Sequence, residues 1–200
     1  IEGAEAAAKY ILTASFSSGV MLFGISLIYG ACGSLYFDEV QAAFTDITPL
    51  HIFALVCFIA GVGFKISLVP FHFWTADTYQ GAPTGVTAYL SVISKGAAVF
   101  AFMCILYKAF VNEPDVWQGI LWWLIVITIT IGQKNLKRFL AFSSISQAGY
   151  IMLGVYASSQ TGMSSTIYYI LIYMFTNLAA FGIISAIENK TNDFYGEHRF

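Results

Sequence analysis

Two lysines stand where an apolar chain can least accommodate them. Lys65 lies near the end of the apolar run 52–69, just ahead of Pro70, and Lys95 lies in the middle of the run 86–107. Lys95 is 12 residues from Pro83 on one side and 12 from Tyr107 on the other. In a helix rising about 1.5 Å per residue its ammonium is therefore roughly 18 Å from either end. A lysine stem cannot carry its charge that far to water, so the ammonium must find a partner inside the bilayer or give up its proton. Two such groups, 30 positions apart on consecutive apolar stretches, point to a charge or proton path.

Other residues could serve that path. His72 follows Pro70 by two positions. A histidine titrates near neutrality and can relay a proton, or it can be a hydrogen-bonded structural group. Asp77 either caps a helix or loop or answers a lysine. Ser143, Ser144, Ser146 and Gln147 put a polar stripe on one stretch. Small polar residues of this kind pack helices together in membranes, and they can also line a water wire. Ser144 and Gln147 are the auxiliary candidates for the relay. Thr128, Thr130, Thr176 and Asn177 carry the same two readings.

The elements that must position these groups are membrane spans. Of 200 residues, 58% are hydrophobic and 10% charged, with a mean hydropathy of +0.73. Soluble domains carry about 25% charged residues. A net charge of −2 gives no reason to expect a nucleic-acid partner. Cys32, Cys57 and Cys104 are isolated, without CxxC or CxxH spacing, and read as small packing residues. No glycine-rich phosphate loop, dinucleotide fingerprint or nucleophile elbow is present, so no cofactor or metal is expected in this chain. Residues 1–9 are too polar for a signal-peptide core, and there is no initiating Met. The start is that expected of a segment from within a longer chain.

A span needs about 20 apolar residues. Six are expected within a single membrane domain, over residues 6–31, 49–69 with a broken extension at 71–82, 83–110, 116–131, 136–157 and 163–187. The fold class is all-α, a polytopic transmembrane bundle with one broken helix. Pro70 removes a backbone donor and clashes with the preceding turn, so the second helix is expected to break at 68–71. Irregular backbone at membrane depth is tolerated only against protein or a hydrated cavity, and discontinuous helices are how transporters build ion sites. Six spans put both ends on one side. That side carries Lys9, Lys134, Lys137, Arg138, Lys190 and Arg199, and the other carries only Lys108. The positive-inside rule then places both ends on the cytoplasm-like face. Trp117, Trp122 and Trp123 are expected in an interfacial belt.

The motif 64–74, Phe-Lys-Ile-Ser-Leu-Val-Pro-Phe-His-Phe-Trp, with Asp77-Thr78-Tyr79-Gln80-Gly81-Ala82-Pro83 behind it, resembles the broken helix of the antiporter-like subunits of respiratory complex I. Ser94-Lys95 matches the lysine on the family's next helix, and 135–150 resembles a second signature. Tyr79-Gln80-Gly81-Ala82-Pro83 is similar to the N-type (ND2-like) branch; the L and M types and the cation/proton antiporters more often have Asp-Ala-His before the Ala-Pro. The resemblance covers nearly the whole chain. It implies a fold of about fourteen helices with two inverted five-helix repeats, of which the spans here would be the sixth to eleventh. The family's glutamate on the fifth helix would precede Ile1, and its lysine on the twelfth would follow Phe200. The chain departs from the pattern in a short link at 131–133 and in its tail, 192–200.

The resemblance implies a proton-translocating membrane-arm subunit of an NADH:quinone oxidoreductase, a translocase part without a redox site of its own. NADH, flavin, Fe–S clusters and quinone would belong to the parent complex. Its partners would be other membrane-arm subunits and the lipid bilayer, and its location the bacterial inner membrane, with the mitochondrial inner membrane or thylakoid as alternatives. The relay would run through Lys65, His72 and Lys95. A secondary cation/proton antiporter subunit and a structural spacer of the membrane arm are the competing functions.

Overall fold

The computed structural model describes residues 2–45, 47–112, 114–129 and 136–197. Among these residues every regular element is helical, without strands. The order is α1 (Glu2–Cys32), α2 (Phe37–Ala43), α3 (Pro49–Ile66), α4 (Phe73–Gly81), α5 (Thr84–Tyr89), a π-helical turn (Leu90–Ser94), α6 (Lys95–Ala109), α7 (Pro114–Ile129), α8 (Leu136–Tyr156) and α9 (Gln160–Glu197). The α5, π and α6 segments form one rod from Thr84 to Ala109. Among the described residues, that rod, Gly3–Cys32, Pro49–Ile66 and Gln160–Ile187 are long and apolar enough to cross a membrane by length and composition.

Hydrogen bonds fix the ends of the bundle. Gln41 Nε2 donates to Asn112 Oδ1 at 3.3 Å, and Asn112 Nδ2 donates to the Gln41 carbonyl at 2.9 Å. Gln118 Nε2 donates to the Tyr156 carbonyl at 2.7 Å, and Tyr107 Oη to the Val155 carbonyl at 2.8 Å. The connections after α1, α6 and α8 therefore meet at one end. At the other end Gly3 lies against Gly81, close enough that a Cβ on Gly3 would sit 3.4 Å from the Gly81 carbonyl oxygen. The broken helix thus returns the chain to the end where α1 begins.

The α1–α3 seam closes on small residues. A Cβ on Gly24 would meet the Phe58 nitrogen at 2.7 Å, and one on Gly61 would meet Met21 Cβ at 2.3 Å. Glycine is what lets two helix backbones approach this closely in a membrane. The main core joins α3, α6, α7 and α8, with Leu55, Ile59, Leu106, Leu121, Ile125 and Met152 essentially buried. A smaller core around the break contains Phe64, Trp74, Ala76, Tyr79 and Ala141. α8 packs against α4, α7 and α9 and so bridges the two halves.

The helix ends differ from the expected ones in places. α3 stops at Ile66 rather than at residue 69, because Ser67 takes a left-handed conformation (φ 66°, ψ 37°) and caps it. α9 begins at Gln160 rather than 163, and its helix continues to Glu197. The short link at 131–133 lies outside the described residues, as do the side chains of Lys134, Lys137, Arg138 and Arg199 and those of the tail at 192–200. Trp117 is not in an interfacial belt. It is 1% exposed, and its indole N–H donates to the Phe110 carbonyl at 3.1 Å. Trp122 and Trp123 are exposed.

Candidate functional site

The site starts from the break between α3 and α4. Ser67 in the left-handed region lets Leu68 N–H reach back to the Gly63 carbonyl at 2.8 Å. Residues 67–72 are then non-helical, with Pro70 inside the segment. Each interruption of a helix in a membrane strands polar backbone groups that must find partners. Here side chains supply them. Trp74 Nε1 donates to the Phe64 carbonyl at 3.1 Å, and Val69 N–H donates to Thr128 Oγ1 of α7 at 3.0 Å. Thr75 Oγ1 donates to Ser67 Oγ at 2.8 Å, with both residues fully buried. The break is a built feature, tied to α7 and to its own second half.

Lys95 is the first residue after the π-helical turn. A π turn adds one residue to a helical register and rotates everything beyond it by about 100°. That rotation sets the face on which Lys95 stands. The side chain is 3% exposed. Its Nζ donates to Ser144 Oγ of α8 at 2.7 Å and lies 5.5 Å from the centre of the Tyr79 ring of α4. The ring face attracts the cation. The Ser144 hydroxyl is turned by its own donation to the Ala141 carbonyl at 2.9 Å, so its lone pairs face the lysine. Three elements, α4, α6 and α8, therefore meet at one ammonium.

The remaining candidates are distributed around this centre. Lys65 lies in the last turn of α3, and its side chain is exposed rather than buried, because its face of α3 points away from the packed helices described. His72 is half-buried, its ring 4.7 Å from that of Phe73 and 6.4 Å from that of Phe142. No hydrogen bond among the described residues joins His72 to Lys65 or Lys95. Asp77 does answer a lysine, but it is Lys9 of α1, at 2.7 Å, with Glu5 on the same ammonium at 2.7 Å. This pair ties α4 to α1. Gln147 accepts from the Tyr169 hydroxyl of α9.

Sequence reasoning missed Tyr79 and the π turn. Tyr79 stood in the motif that distinguished the N type, and that was its signal.

Geometry defines the class: a polytopic helical membrane protein with a discontinuous helix and a lysine in its apolar interior. The chain belongs to the family described as "NADH:quinone oxidoreductase/Mrp antiporter, TM", whose model matches residues 2–197. It is 60% identical over 195 residues to a protein of Phocaeicola vulgatus named NADH-quinone oxidoreductase subunit N, covering 94% of this chain and 41% of that one. It is 56% identical over 197 residues to the protein of that name from Azobacteroides pseudotrichonymphae, covering 96% and 41%. The chain thus spans about 41% of the length of these relatives. In three dimensions it is similar to a chain of respiratory complex I from Thermus thermophilus, with TM-score 0.78, 35% identity, and coverage of 92% of this chain and 40% of that chain. It is also similar to a chain of the Mrp complex from Dietzia, with TM-score 0.85, 29% identity, and coverage of 94% and 36%. Its sequence relatives place it with the antiporter-like subunits of N type.

Proposed function

We propose that this chain is part of a subunit that moves protons in the membrane arm of an NADH:quinone oxidoreductase. One observation carries the reading: a lysine buried to 3% exposure, held by Ser144 and Tyr79 beside a broken helix. An ammonium in that position costs roughly 2.5–3.5 kcal/mol on insertion scales, which a purely structural spacer has no reason to retain. Lysine can also release its proton when desolvated, as arginine cannot. The likeness to subunits named N supports placement in that complex.

In this scheme Lys95 holds the proton in the bundle interior, and Ser144 receives its hydrogen bond. Lys65 stands at the break and extends the path on the face that the described helices leave open. His72 lies between the two along the chain and hydrates or gates the segment that joins them. Asp77 positions α4 through Lys9. Redox chemistry, with NADH, flavin, Fe–S clusters and quinone, belongs to partner subunits, and the membrane is the bacterial plasma membrane of the relatives' hosts.

The test is NADH-driven proton translocation in vesicles carrying the whole subunit in its complex. Lys95→Ala is expected to assemble, as judged by native gel, and to lose pumping. Assembled Lys95→Ala complexes that pump at normal stoichiometry refute the assignment. A second reading, a secondary cation/proton antiporter subunit, is favoured by the TM-score of 0.85 to the Mrp chain. Sodium-dependent exchange without NADH would support it, and copurification with NADH dehydrogenase subunits would count against it.

A further inference from the structure

Lys95 keeps its ammonium in the interior with little to hold it. An ammonium carries three donors, and Ser144 Oγ takes one. Among the described residues Lys95 forms no ion pair; the acids paired there, Glu5 and Asp77, are both on Lys9. What remains is the ring of Tyr79, with Nζ over its face at 5.5 Å. The Tyr79 hydroxyl takes no part: it is buried without a hydrogen-bond partner.

The ring is fixed from the side of the break. Tyr79 is 1% exposed, and its ring meets that of Trp74 edge-on, with 6.2 Å between centres and 77° between planes. Trp74 is locked in turn. Its indole N–H donates to the Phe64 carbonyl at 3.1 Å, and its ring lies 5.1 Å from those of Phe64 and Tyr10. Thr87 Oγ1 donates to the Tyr79 carbonyl at 3.3 Å. The break thus ends α3 and sets α4 on a line that lays one aromatic face against Lys95.

We propose that Tyr79 is a positioning residue for Lys95: the face of its ring, and not its hydroxyl, holds the ammonium in place beside Ser144. This deepens, and rests on, the reading of Lys95 as a proton carrier. The attraction of a ring face is to charge, so it favours the ammonium over the neutral amine. With the ring in place, Lys95 can be loaded where the described residues bring no acid to it. Without the ring the neutral amine is favoured and the cycle stalls.

The experiment uses the whole subunit in its complex, with Tyr79 exchanged by nonsense suppression. Tyr79→Phe keeps the ring face and drops the hydroxyl; it is expected to assemble and to pump the normal number of protons per NADH. Mono-, di- and trifluorinated phenylalanines in its place keep the shape of the ring and progressively cancel the negative charge on its face. Pumping is expected to fall stepwise in that order, with most of it lost at the third fluorine and assembly on native gels unchanged. Loss of pumping in Tyr79→Phe, or a trifluorinated ring that pumps as phenylalanine does, overturns the proposal. Melts of the same variants separate charge from packing. Each added fluorine is expected to lower the melting temperature when Lys95 is present. It is expected to leave the melt unchanged in Lys95→Met, whose side chain is close to the lysine stem in length and carries no charge. Equal shifts in the two backgrounds would make Tyr79 a packing residue and overturn its role, with the reading of Lys95 intact. Normal pumping by Lys95→Met instead removes that parent reading.

Discussion

The α1–α3 seam makes a sharp stability prediction, because α1 carries its own control. A Cβ on Gly24 would lie 2.7 Å from Phe58 N, 2.8 Å from Ala54 O and 3.0 Å from Cys57 Cβ, whereas a Cβ on Gly19 meets nothing within 4 Å. Two of the Gly24 contacts are backbone atoms of α3, so no side chain can rotate away. Ordinary contact begins near 3.4 Å, and α1 must withdraw by about 0.7 Å to accept the methyl. Overpacking of this kind costs about 1–3 kcal/mol. Both Gly→Ala changes gain the same helix propensity, about 0.8–1 kcal/mol, so that term cancels in the comparison. Gly24→Ala should therefore be less stable than Gly19→Ala by about 1–3 kcal/mol. At about 2–4 °C per kcal/mol for a body of this size, the two melts separate by several degrees. The assay is thermal denaturation of the purified whole subunit, or the intact fraction on a native gel after graded heating. Coincident melts would refute the close approach of α1 and α3 at Gly24.

Three further outcomes are expected. Thr128→Val keeps the shape of the side chain but leaves the buried Val69 N–H unpaired; it should destabilise by about 1–3 kcal/mol, and an unchanged melt would remove Thr128 from the support of the break. Lys95→Arg should insert normally but fail to pump, because a guanidinium does not release its proton; pumping by an assembled arginine variant would contradict a protonation cycle at this position. Cysteines at Asn112 and Ser158 should label from one face of the membrane and cysteines at Glu5 and Gln80 from the other, since Gln41, Asn112, Gln118 and Tyr156 join at one end and Gly3 meets Gly81 at the opposite one. Labelling of Asn112→Cys and Gln80→Cys from the same face would break the alternation.

Several features were legible in the chain itself. Apolar runs of span length, interrupted by Pro49, Pro70 and Pro83, determine an all-helical membrane bundle with one broken helix, because backbone polar groups in lipid have no other way to be satisfied. The motif around Lys65 and Tyr79-Gln80-Gly81-Ala82-Pro83 carries the family. What the chain could not say is which side chains face one another. A helix apolar on every side has no polar face to mark its outside, so Trp117 reads as interfacial when it is core, and Lys65 is taken with Lys95 as a buried relay group when only Lys95 is enclosed by the helices described. Ser144 stands among several hydroxyls on α8. Only the convergence of α4, α6 and α8 selects it. The π turn ahead of Lys95 belongs to the same category: residues 90–94 have no sequence mark that separates a π turn from an α turn, and the one-residue register shift that aims Lys95 at α8 exists only once the helices are packed.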